Sequence, residues 1–314
     1  MELRVQLMSI LDLIKRDLYL DADYVLRLAN VAESHYRDFK SGKRWIEAPY
    51  ADLKIIQCWI LDFIRKNSAD LPAFVAAYES GRSLLSNAEI HRKNAHLLLI
   101  DIKDFFPSCS TDKVAHFFET ISVDGNPSWR LSKDDVLLLL KLSTKEGSLP
   151  LGSPCSPAIA NRIMLPIDYE ILSKIDPTYS YSRYSDDICI SSKSWIDSNT
   201  TLRQVQQILA SSDFGVNKSK VHFAGRGQSR KITGVYITPD GDFSIGKERK
   251  TRLRKMLYEY LVKGNGDPRQ IHGFICFCKM IDPAYVSRTI SKYAMLDSSG
   301  GMKLEEVLSG RSSK

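Results

Sequence analysis

The stretch YSRYSDDICIS, residues 181–191, carries two adjacent aspartates between two short segments in which apolar and polar residues alternate. Alternation with a period of two is typical of β-strands, so the sequence predicts a hairpin with Asp186 and Asp187 at its tip. Aspartate is also a common turn residue, because its carboxylate accepts hydrogen bonds from nearby backbone amides. The alternative is a metal site, since paired carboxylates supply the oxygen ligands that Mg²⁺ requires.

A third carboxylate elsewhere in the chain favours the metal site. Asp101 interrupts the apolar run 97–102, which predicts a strand buried on both faces. A charged carboxylate is costly to bury unless it is paired or metal-bound, although partial exposure at the strand's end is a simpler explanation. If this strand lies beside the hairpin, the three aspartates converge, and two divalent ions about 3.5–4 Å apart would serve phosphoryl transfer. Since neighbouring strand residues point to opposite faces, we expect Asp186 to bind metal more tightly than Asp187.

The composition is that of a globular protein with more than one subdomain. The chain has 314 residues, of which 43% are hydrophobic, enough to bury substantial cores. No apolar run is long enough to span a membrane, and the first twenty residues carry charges throughout instead of a signal-peptide pattern. Six cysteines without a CxxC pair favour reduced core thiols over structural zinc. We therefore expect a cytoplasmic protein without a membrane partner.

The net charge of +7 is concentrated in one run, KERKTRLRK, residues 247–255. The run contains a single acid, Glu248, and six basic residues: Lys247, Arg249, Lys250, Arg252, Arg254 and Lys255. Such a run can be a solvated helix face or a surface that binds a polyanion. The sequence leaves both interpretations open.

Five short motifs occur in one order along about 140 residues: DIKDFFPS (101–108), LGSPCSPAIAN (151–161), YSDD (184–187), GVNKSK (215–220) and ITGVYI (232–237). Their order resembles the palm motifs of reverse transcriptases. Upstream, KRWIEAPYADLKIIQ (43–57) is similar to the fingers motif of the same family. A four-residue match alone is a weak signal, but five motifs in the expected order are a specific one.

Within that family the sequence looks most similar to the bacterial retron reverse transcriptases. They carry an Asn-Ala-x-x-His element before the first catalytic strand, matched here by Asn87, Ala88 and His91. They also carry a Val-Thr-Gly element after the catalytic hairpin, which is matched by ITG at 232–234. Both elements are short, and their joint placement favours a retron enzyme over other bacterial reverse transcriptases.

The resemblance implies an α+β, right-hand polymerase fold: fingers, a palm whose antiparallel sheet carries the YxDD hairpin, and a small helical thumb. The expected divisions are fingers at 1–95, a first palm strand at 96–110, a helical fingers and palm segment at 111–157, palm at 158–239, and a thumb and RNA-binding region at 240–314. We expect the last dozen residues to be frayed.

The resemblance also implies the chemistry of the site. Asp101, Asp186 and Asp187 would hold two Mg²⁺ ions, for which Mn²⁺ can substitute. Lys220 would neutralise or protonate the leaving pyrophosphate, although the motif leaves the choice between Lys218 and Lys220 open.

Other side chains would bind the deoxynucleoside triphosphate. Arg44 and Lys43 match the fingers cations that clamp triphosphate oxygens, and an arginine fork suits that geometry. Phe106 matches the ring that excludes a 2′-hydroxyl, although the residue could be a plain core phenylalanine.

The Gly-x-Pro loop with Gly152 and Pro154 would allow a close backbone approach to nucleotide and template. Leu151 stands where the family commonly has Gln, which puts a contact of that side chain in doubt. Ser185 stands where retron enzymes usually have Ala, and we expect little effect because both residues are small.

Nucleic-acid contacts are expected at two further places. The basic residues of 247–255 would contact phosphates of the template–primer or of structured RNA. His91 would stack on or hydrogen-bond to RNA, with a buried structural histidine as the alternative.

A retron enzyme implies a specific activity. Such an enzyme binds a cognate structured noncoding RNA and primes from the 2′-hydroxyl of an internal guanosine. It copies part of that RNA into a branched multicopy single-stranded DNA–RNA hybrid. Its partners would be that RNA, the RNA–DNA product, deoxynucleoside triphosphates, and an effector or toxin protein in antiphage defence.

Two alternatives remain open at this point. One is a group II intron or diversity-generating reverse transcriptase, although intron enzymes usually extend well past the thumb and this sequence has 314 residues. The other is a non-catalytic RNA-binding scaffold. A scaffold has no reason to keep three converging acids close to RNA phosphates.

Overall fold

The computed structural model describes residues 8–42, 44–126, 128–225, 227–228, 230–297 and 299–311. The helices in these residues are α1 (Ile10–Leu18), α2 (Ala22–Val31), α3 (Ala51–Asn67), α4 (Leu84–Ile90), α5 (Thr111–Thr120), α6 (Lys133–Ser143), α7 (Ser156–Lys174), α8 (Ser198–Ser211), α9 (Gly246–Leu261), α10 (Pro268–Ile281), α11 (Pro283–Ala294) and α12 (Met302–Ser309). The strands are β1 (Tyr36–Ser41), β2 (Arg44–Pro49), β3 (His96–Lys103), β4 (Ser180–Tyr184), β5 (Asp187–Ser192), β6 (Gly215–Val216), β7 (His222–Ala224), β8 (Arg230–Ile232), β9 (Val235–Ile237) and β10 (Phe243–Ser244). None of the described helices has the length and apolarity needed to cross a membrane.

The chain divides into two compact units. The first comprises residues 1–81, 98–190 and 196–222. The second comprises residues 82–97, 191–195 and 223–314. The boundary expected between palm and thumb near residue 240 therefore falls inside the last segment of the second unit.

The N-terminal helices of the first unit follow the sequence pattern closely. The carboxylate of Asp21 caps α2 by accepting hydrogen bonds from the backbone amides of Asp23 and Tyr24, which satisfies donors that a helix N-terminus leaves unpaired. Helix α3 has the apolar residues on one stripe, and that stripe is buried in the core of the first unit.

Strands β1 and β2 form an antiparallel hairpin in the first unit. Its register pairs Tyr36 with Pro49 at one end and Ser41 with Arg44 at the other. Arg44 therefore stands at the turn. The backbone amide of Glu47 donates to the carbonyl oxygen of Leu151 at 2.7 Å, which joins this hairpin to the loop that precedes α7.

One sheet carries DIKDFFPS, YSDD and GVNKSK, three of the five motifs, in the strand order β4-β5-β3-β6, with β7 also paired to β3. Strand β3 is mostly buried, as the continuous apolar run predicts, and β6 lies antiparallel to it with Ile102 opposite Val216. The predicted hairpin is confirmed as β4 and β5. Because β3 and β5 are neighbours, Asp101 lies on the strand next to the one that begins at Asp187.

The second unit contains the small sheet β10-β9-β8, helix α4, and the helices α9 to α12 around their own core. That core includes Val307, which is fully buried, and the Tyr260 hydroxyl donates a hydrogen bond to the Glu306 carboxylate. The expectation that the last dozen residues are frayed is therefore wrong as far as Ser309, because α12 docks into the unit.

Candidate active site

A cavity of about 630 Å³ lies in the first unit between the tip of the β4–β5 hairpin and the β1–β2 hairpin. Its lining includes Asp101, Asp186, Lys220, Arg44 and Phe106. Motifs that are far apart in the sequence thus contribute side chains to one cavity.

Asp101 is the buried member of the acidic group, with 6% of the residue exposed, so partial exposure at the end of the strand does not explain it. The Lys220 ammonium donates a hydrogen bond to its Oδ2 at 2.7 Å. The backbone fixes the neighbours of Asp101, because the amide of Ile102 donates to the carbonyl of Asp186 at 2.8 Å and the amide of Asn217 donates to the carbonyl of Asp101 at 2.9 Å. The strand, the hairpin turn and the segment that carries Lys220 are therefore held together.

The contact with Lys220 bears on the choice that the sequence left open. Lys220 lies in the cavity and is hydrogen-bonded to Asp101, which raises the pKa of its ammonium group. Lys218 is exposed and is not part of the cavity lining. The structure favours Lys220 as the lysine of the site.

The three aspartates act on one another electrostatically. Asp187 is exposed as a whole residue, but burial of its carboxyl removes hydration, and with the negative charges of Asp186 and Asp101 this raises its pKa to about 6. The positive charges of Lys220 and Arg44 act in the opposite direction. A carboxylate whose charge is opposed by two others is a ready ligand for a cation.

The donor chemistry fits a divalent metal ion. Carboxylate oxygens are the ligands that Mg²⁺ prefers, and the mutual repulsion of the three groups is the unfavourable term that a bound cation would remove. Among the residues that the structure describes, no three His, Cys, Asp or Glu side chains are already gathered into a metal-binding arrangement. In this structure the ammonium of Lys220 supplies the positive charge that pairs with the Asp101 carboxylate.

The β1–β2 hairpin presents Arg44 to this cavity. The residue is exposed, and its positive charge acts to lower the pKa of Asp187 and of Lys220. Lys43, the other predicted triphosphate ligand, lies outside the described residues.

A residue that the sequence interpretation missed anchors the same hairpin. The buried ammonium of Lys145 contacts Glu47 Oε1 at 2.9 Å and Asp38 Oδ1 at 3.1 Å, and it lies over the ring of Tyr36. A lysine in a Gly/Ser-rich segment carries no local signal for this contact, because both acids are about 100 residues away in sequence.

Phe105 and Phe106 both line the cavity and are nearly buried, with ring centroids 5.4 Å apart. The ring of Phe105 also packs against Phe214, as expected for a core residue. Phe106, with 9% of its surface exposed, stays the candidate for contact with the sugar of a nucleotide.

The structure gives a different reason for glycine at position 152 from the one that the sequence suggested. Its φ is +139°, and a Cβ at this position would lie 2.7 Å from the carbonyl oxygen of Glu47. The close approach is therefore to the β1–β2 hairpin, and neither Gly152 nor Pro154 is part of the cavity lining, whereas Leu151 is.

The fully buried Gln57 supports the same loop. Its amide donates to the Tyr36 hydroxyl at 2.7 Å and to the carbonyl of Leu142 at 2.9 Å, and its carbonyl oxygen accepts a hydrogen bond from Ser153. The Leu-Lys-x-x-Gln spacing marks Gln57 in the sequence, but nothing local identifies these partners.

His91 has no exposed surface, and its Nδ1 lies 2.6 Å from the Ser191 hydroxyl. The predicted stacking or bonding of its ring on RNA is therefore corrected to the structural alternative. The neighbouring motif residue Asn87 donates to the Thr233 hydroxyl at 3.3 Å, so the two retron-like elements contact each other inside the second unit.

Burial of His91 predicts an acid-sensitive fold, because it lowers the pKa of His91 to about 3. The unfolded chain binds a proton near the ordinary value of 6.5 and the folded chain does not, so stability is lost as pH falls from 6.5 towards 3. This group alone should cost about 2 kcal/mol between pH 7 and pH 5. Urea unfolding at both pH values should show a smaller loss in His91→Gln than in the wild type, whereas the exposed-site control His116→Gln should keep the full loss. Equal losses in all three proteins would contradict the assignment.

The basic run, residues 247–255, lies on α9, and two of its side chains make contacts inside the second unit. Arg249 donates to the carbonyl of Gly234 and lies over Phe277, and Lys250 pairs with Asp282 and lies over Tyr285. Both side chains are half-buried and make structural contacts within the second unit, and their contact with nucleic acid stays a prediction.

The rest of the run is exposed: Lys247, Arg252, Arg254 and Lys255. The Arg252 guanidinium lies 4.6 Å from the centroid of the Phe274 ring. These four residues stay candidates for contact with phosphates.

The comparisons with known proteins agree with this site. Residues 35–237 match the reverse transcriptase (RNA-dependent DNA polymerase) family. Among curated proteins, the chain is 28% identical over 285 residues to the retron Ec83 reverse transcriptase of Escherichia coli, a match that covers 86% of this chain and 91% of that protein. It is 28% identical to the retron Ec86 enzyme, covering 80% and 78% of the two chains, and 29% identical to the retron Ec73 enzyme, covering 81% and 84%, both from the same organism.

Solved structures show a looser likeness. A foamy viral protease–reverse transcriptase in complex with double-stranded DNA overlaps 88% of this chain and 43% of its own with a TM-score of 0.48 and 17% identity. A telomerase from Candida albicans in complex with telomeric RNA overlaps 95% of this chain and 66% of its own with a TM-score of 0.46 and 12% identity.

The family match covers the β1–β2 hairpin, the three aspartates and Lys220. The chain belongs to the reverse transcriptase family and is an RNA-directed DNA polymerase of the retron type.

Proposed function

We propose that the protein copies part of a cognate structured noncoding RNA into a branched, multicopy single-stranded DNA that stays joined to the RNA. The observation that carries the polymerase chemistry is the single cavity into which Asp101, Asp186, Lys220 and Arg44 project. The retron character is supported by similarity to retron enzymes along most of the chain. The enzyme would act in the cytoplasm, where deoxynucleoside triphosphates are available.

The metal ligands in this proposal are Asp101, Asp186 and Asp187, and the ions are two Mg²⁺, with Mn²⁺ as a substitute. When bound, Mg²⁺ lowers the pKa of the attacking hydroxyl and neutralises charge on the phosphates. The hydroxyl oxygen would attack the α-phosphorus and lose its proton to water. The bond between the α-phosphorus and the oxygen that bridges to the β-phosphate would break with release of pyrophosphate. The first hydroxyl would be the 2′-hydroxyl of an internal guanosine, and each later one the 3′-hydroxyl of the growing DNA.

The cations of the cavity bind the triphosphate and its leaving group. Arg44 stands at the turn of the β1–β2 hairpin and is exposed, so its guanidinium would bind phosphate oxygens in a forked geometry. Lys43 would assist it. Lys220 is protonated at neutral pH, as lysine ordinarily is, and its charge would neutralise the leaving pyrophosphate or its proton would pass to it. The hydrogen bond to Asp101 raises the pKa of Lys220 and so favours the charged form.

The same proposal gives nucleic-acid partners to the second unit. Lys247, Arg252, Arg254 and Lys255 form an exposed cationic face of α9 that would bind phosphates of the RNA or the RNA–DNA product. An effector or toxin protein would complete an antiphage system with the enzyme.

The sugar specificity gives a direct prediction. Removal of the Phe106 ring in Phe106→Ala should raise the use of ribonucleotides relative to deoxynucleotides by about 10- to 100-fold, because the ring no longer blocks the 2′-hydroxyl. The ratio of kcat/KM for dGTP and GTP measures this effect. The matched control is Phe105→Ala, which removes the neighbouring ring of the same cavity and should lower stability without changing that ratio. An unchanged ratio in Phe106→Ala would show that Phe106 does not select against the 2′-hydroxyl of the sugar.

Expression of the protein together with its flanking DNA tests the whole proposal. We expect a small DNA that migrates as a branched RNA-linked species and disappears in the double variant Asp186→Asn, Asp187→Asn. Absence of the species in the wild type, or its persistence in the double variant, would overturn the proposal. An inverted-repeat noncoding RNA encoded beside the gene distinguishes a retron from an intron or diversity-generating enzyme.

A further inference from the structure

The turn that carries the catalytic aspartates is held by a side chain from outside the five palm motifs. The Tyr78 hydroxyl donates a hydrogen bond to the Ser185 hydroxyl at 3.1 Å. Tyr78 lines the same cavity as Asp101 and Asp186, and its ring lies 6.5 Å from that of Tyr184. Ser185 immediately precedes Asp186, so a contact at Ser185 bears directly on the acidic pair.

Both partners of this hydrogen bond have an uncommon backbone conformation. The φ of Tyr78 is +65° and that of Ser185 is +60°. Both lie in the left-handed region of the backbone, which residues other than glycine and asparagine rarely adopt. Such conformations persist only where surrounding contacts fix them, and they concentrate at functional sites.

Surrounding contacts fix the segment that carries Tyr78. The backbone of residues 74–76 runs alongside β4, with the amide of Arg183 donating to the carbonyl of Phe74 at 2.8 Å and the amide of Ala76 donating to the carbonyl of Arg183 at 2.8 Å. The Asn161 amide donates to the carbonyl of Ala77 at 2.9 Å, and the Arg65 guanidinium donates to the carbonyl of Tyr78 at 3.2 Å.

The backbone of Ser185 is held by Arg183, which in turn contacts Asn161, the residue that also binds the segment carrying Tyr78. The fully buried Arg183 guanidinium donates to the Ser185 carbonyl at 3.3 Å and to Asn161 Oδ1 at 3.0 Å. Ser185 is thus held at its backbone by Arg183 and at its side chain by Tyr78.

We propose that Tyr78 is a positioning residue for DNA synthesis, which acts through the Ser185 hydroxyl to fix the turn that presents Asp186 and Asp187. The inference rests on the proposed metal-binding role of these aspartates. It also predicts, against the expectation from size alone, that serine and alanine are not equivalent at position 185, because alanine has no oxygen to accept the bond.

The chemistry explains why one hydrogen bond matters at this place. Catalytic groups must be held close to their productive geometry, and a shift of about 1 Å can lower a rate by about 100-fold. Tyr78 is 45% exposed as a residue, so water is an alternative partner for its hydroxyl, and the hydrogen bond adds little to global stability. Its loss should therefore appear in catalysis more than in folding.

The test uses variants that each remove one part of the contact. Tyr78→Phe removes the donor and keeps the ring, Ser185→Ala removes the acceptor, and Ser185→Gly removes the acceptor while relieving the positive φ. We expect each to lower kcat by about 10-fold and to raise the Mg²⁺ concentration for half-maximal rate, with small changes in the KM for deoxynucleotides and in Tm. The control Tyr169→Phe removes a hydroxyl from an exposed tyrosine on α7 and should leave kcat and the Mg²⁺ dependence unchanged.

The double variant Tyr78→Phe, Ser185→Ala should be no slower than either single variant, because both remove the same bond. Full kcat and an unchanged Mg²⁺ dependence in Tyr78→Phe would overturn the proposal, as would wild-type kcat in Ser185→Gly, since backbone conformation alone would then suffice. A wild type that makes no DNA on an RNA template would instead reject the proposed function, so the two failures are distinguishable.

Discussion

Asp186→Asn should lower kcat/KM for RNA-templated DNA synthesis by about 1,000-fold or more, because loss of one carboxylate charge removes several kcal/mol of metal-assisted stabilisation of the transition state. Asp101→Asn should have an effect of similar size. Asp187→Asn should have a smaller one if, as the sequence predicts, Asp186 is the stronger ligand. Primer extension on an RNA template at saturating Mg²⁺ measures all three.

The control for charge is Asp104→Asn. Asp104 lines the same cavity but is exposed, and asparagine tolerates its φ of +46°. Its activity should stay within about threefold of the wild type, since an exposed charge is screened by water and salt. Retained activity in Asp186→Asn, or an equal loss in Asp104→Asn, would show that the cavity does not act through these particular carboxylates.

Asp168→Ala should destabilise the protein by about 3–5 kcal/mol, the cost of leaving a buried charge without its partner. Asp168 and Arg183 are both fully buried and joined by two hydrogen bonds of 2.8 Å, and the Tyr181 hydroxyl donates to Asp168 Oδ1 at 2.6 Å. Removal of the carboxylate leaves the buried charge of Arg183 without its counter-ion, beside the β4–β5 hairpin, and the Tyr181 hydroxyl without this acceptor. Urea unfolding at pH 7 measures the loss.

The control for this prediction is Asp62→Ala on the exposed face of α3, which should change the free energy of unfolding by less than about 0.5 kcal/mol. The apolar pair Asp168→Leu, Arg183→Met should be less destabilised than the sum of its single variants, because it leaves no unpaired charge. A loss below about 1 kcal/mol in Asp168→Ala would show that the buried pair does not support the hairpin.

The convergence of Asp101 with the hairpin was predictable from local patterns. A continuous apolar run with one acid predicts a central strand, and a period of two with an acidic tip predicts a hairpin. In the structure the two elements lie side by side in one sheet. The order of the motifs then specified the site, and the structure confirms β3, β4 and β5.

The partners of other residues were not predictable, because they are distant in sequence. His91 contacts Ser191, Gly152 approaches Glu47, and each pair is about 100 residues apart. A single sequence has no pattern that links such positions. The short helix α12 likewise depends on Val307 entering the core of the second unit, and a segment of that length has little intrinsic tendency to be helical.

The side chains of α9 illustrate the same limit. A run of six basic residues predicts a cationic surface, but Arg249 and Lys250 use their charges on a carbonyl, an acid and aromatic rings of the second unit. Charge is visible in the sequence, whereas the partner of each charge depends on packing.

The most direct test of retron-type DNA synthesis is incorporation of labelled deoxynucleotides by the purified protein with RNA transcribed from its flanking DNA and no added primer. We predict labelled DNA that stays covalently attached to the RNA on a denaturing gel and is released by an enzyme that cleaves 2′–5′ branches. DNA that forms only when a primer is added, or that runs free of the RNA, would contradict retron-type synthesis.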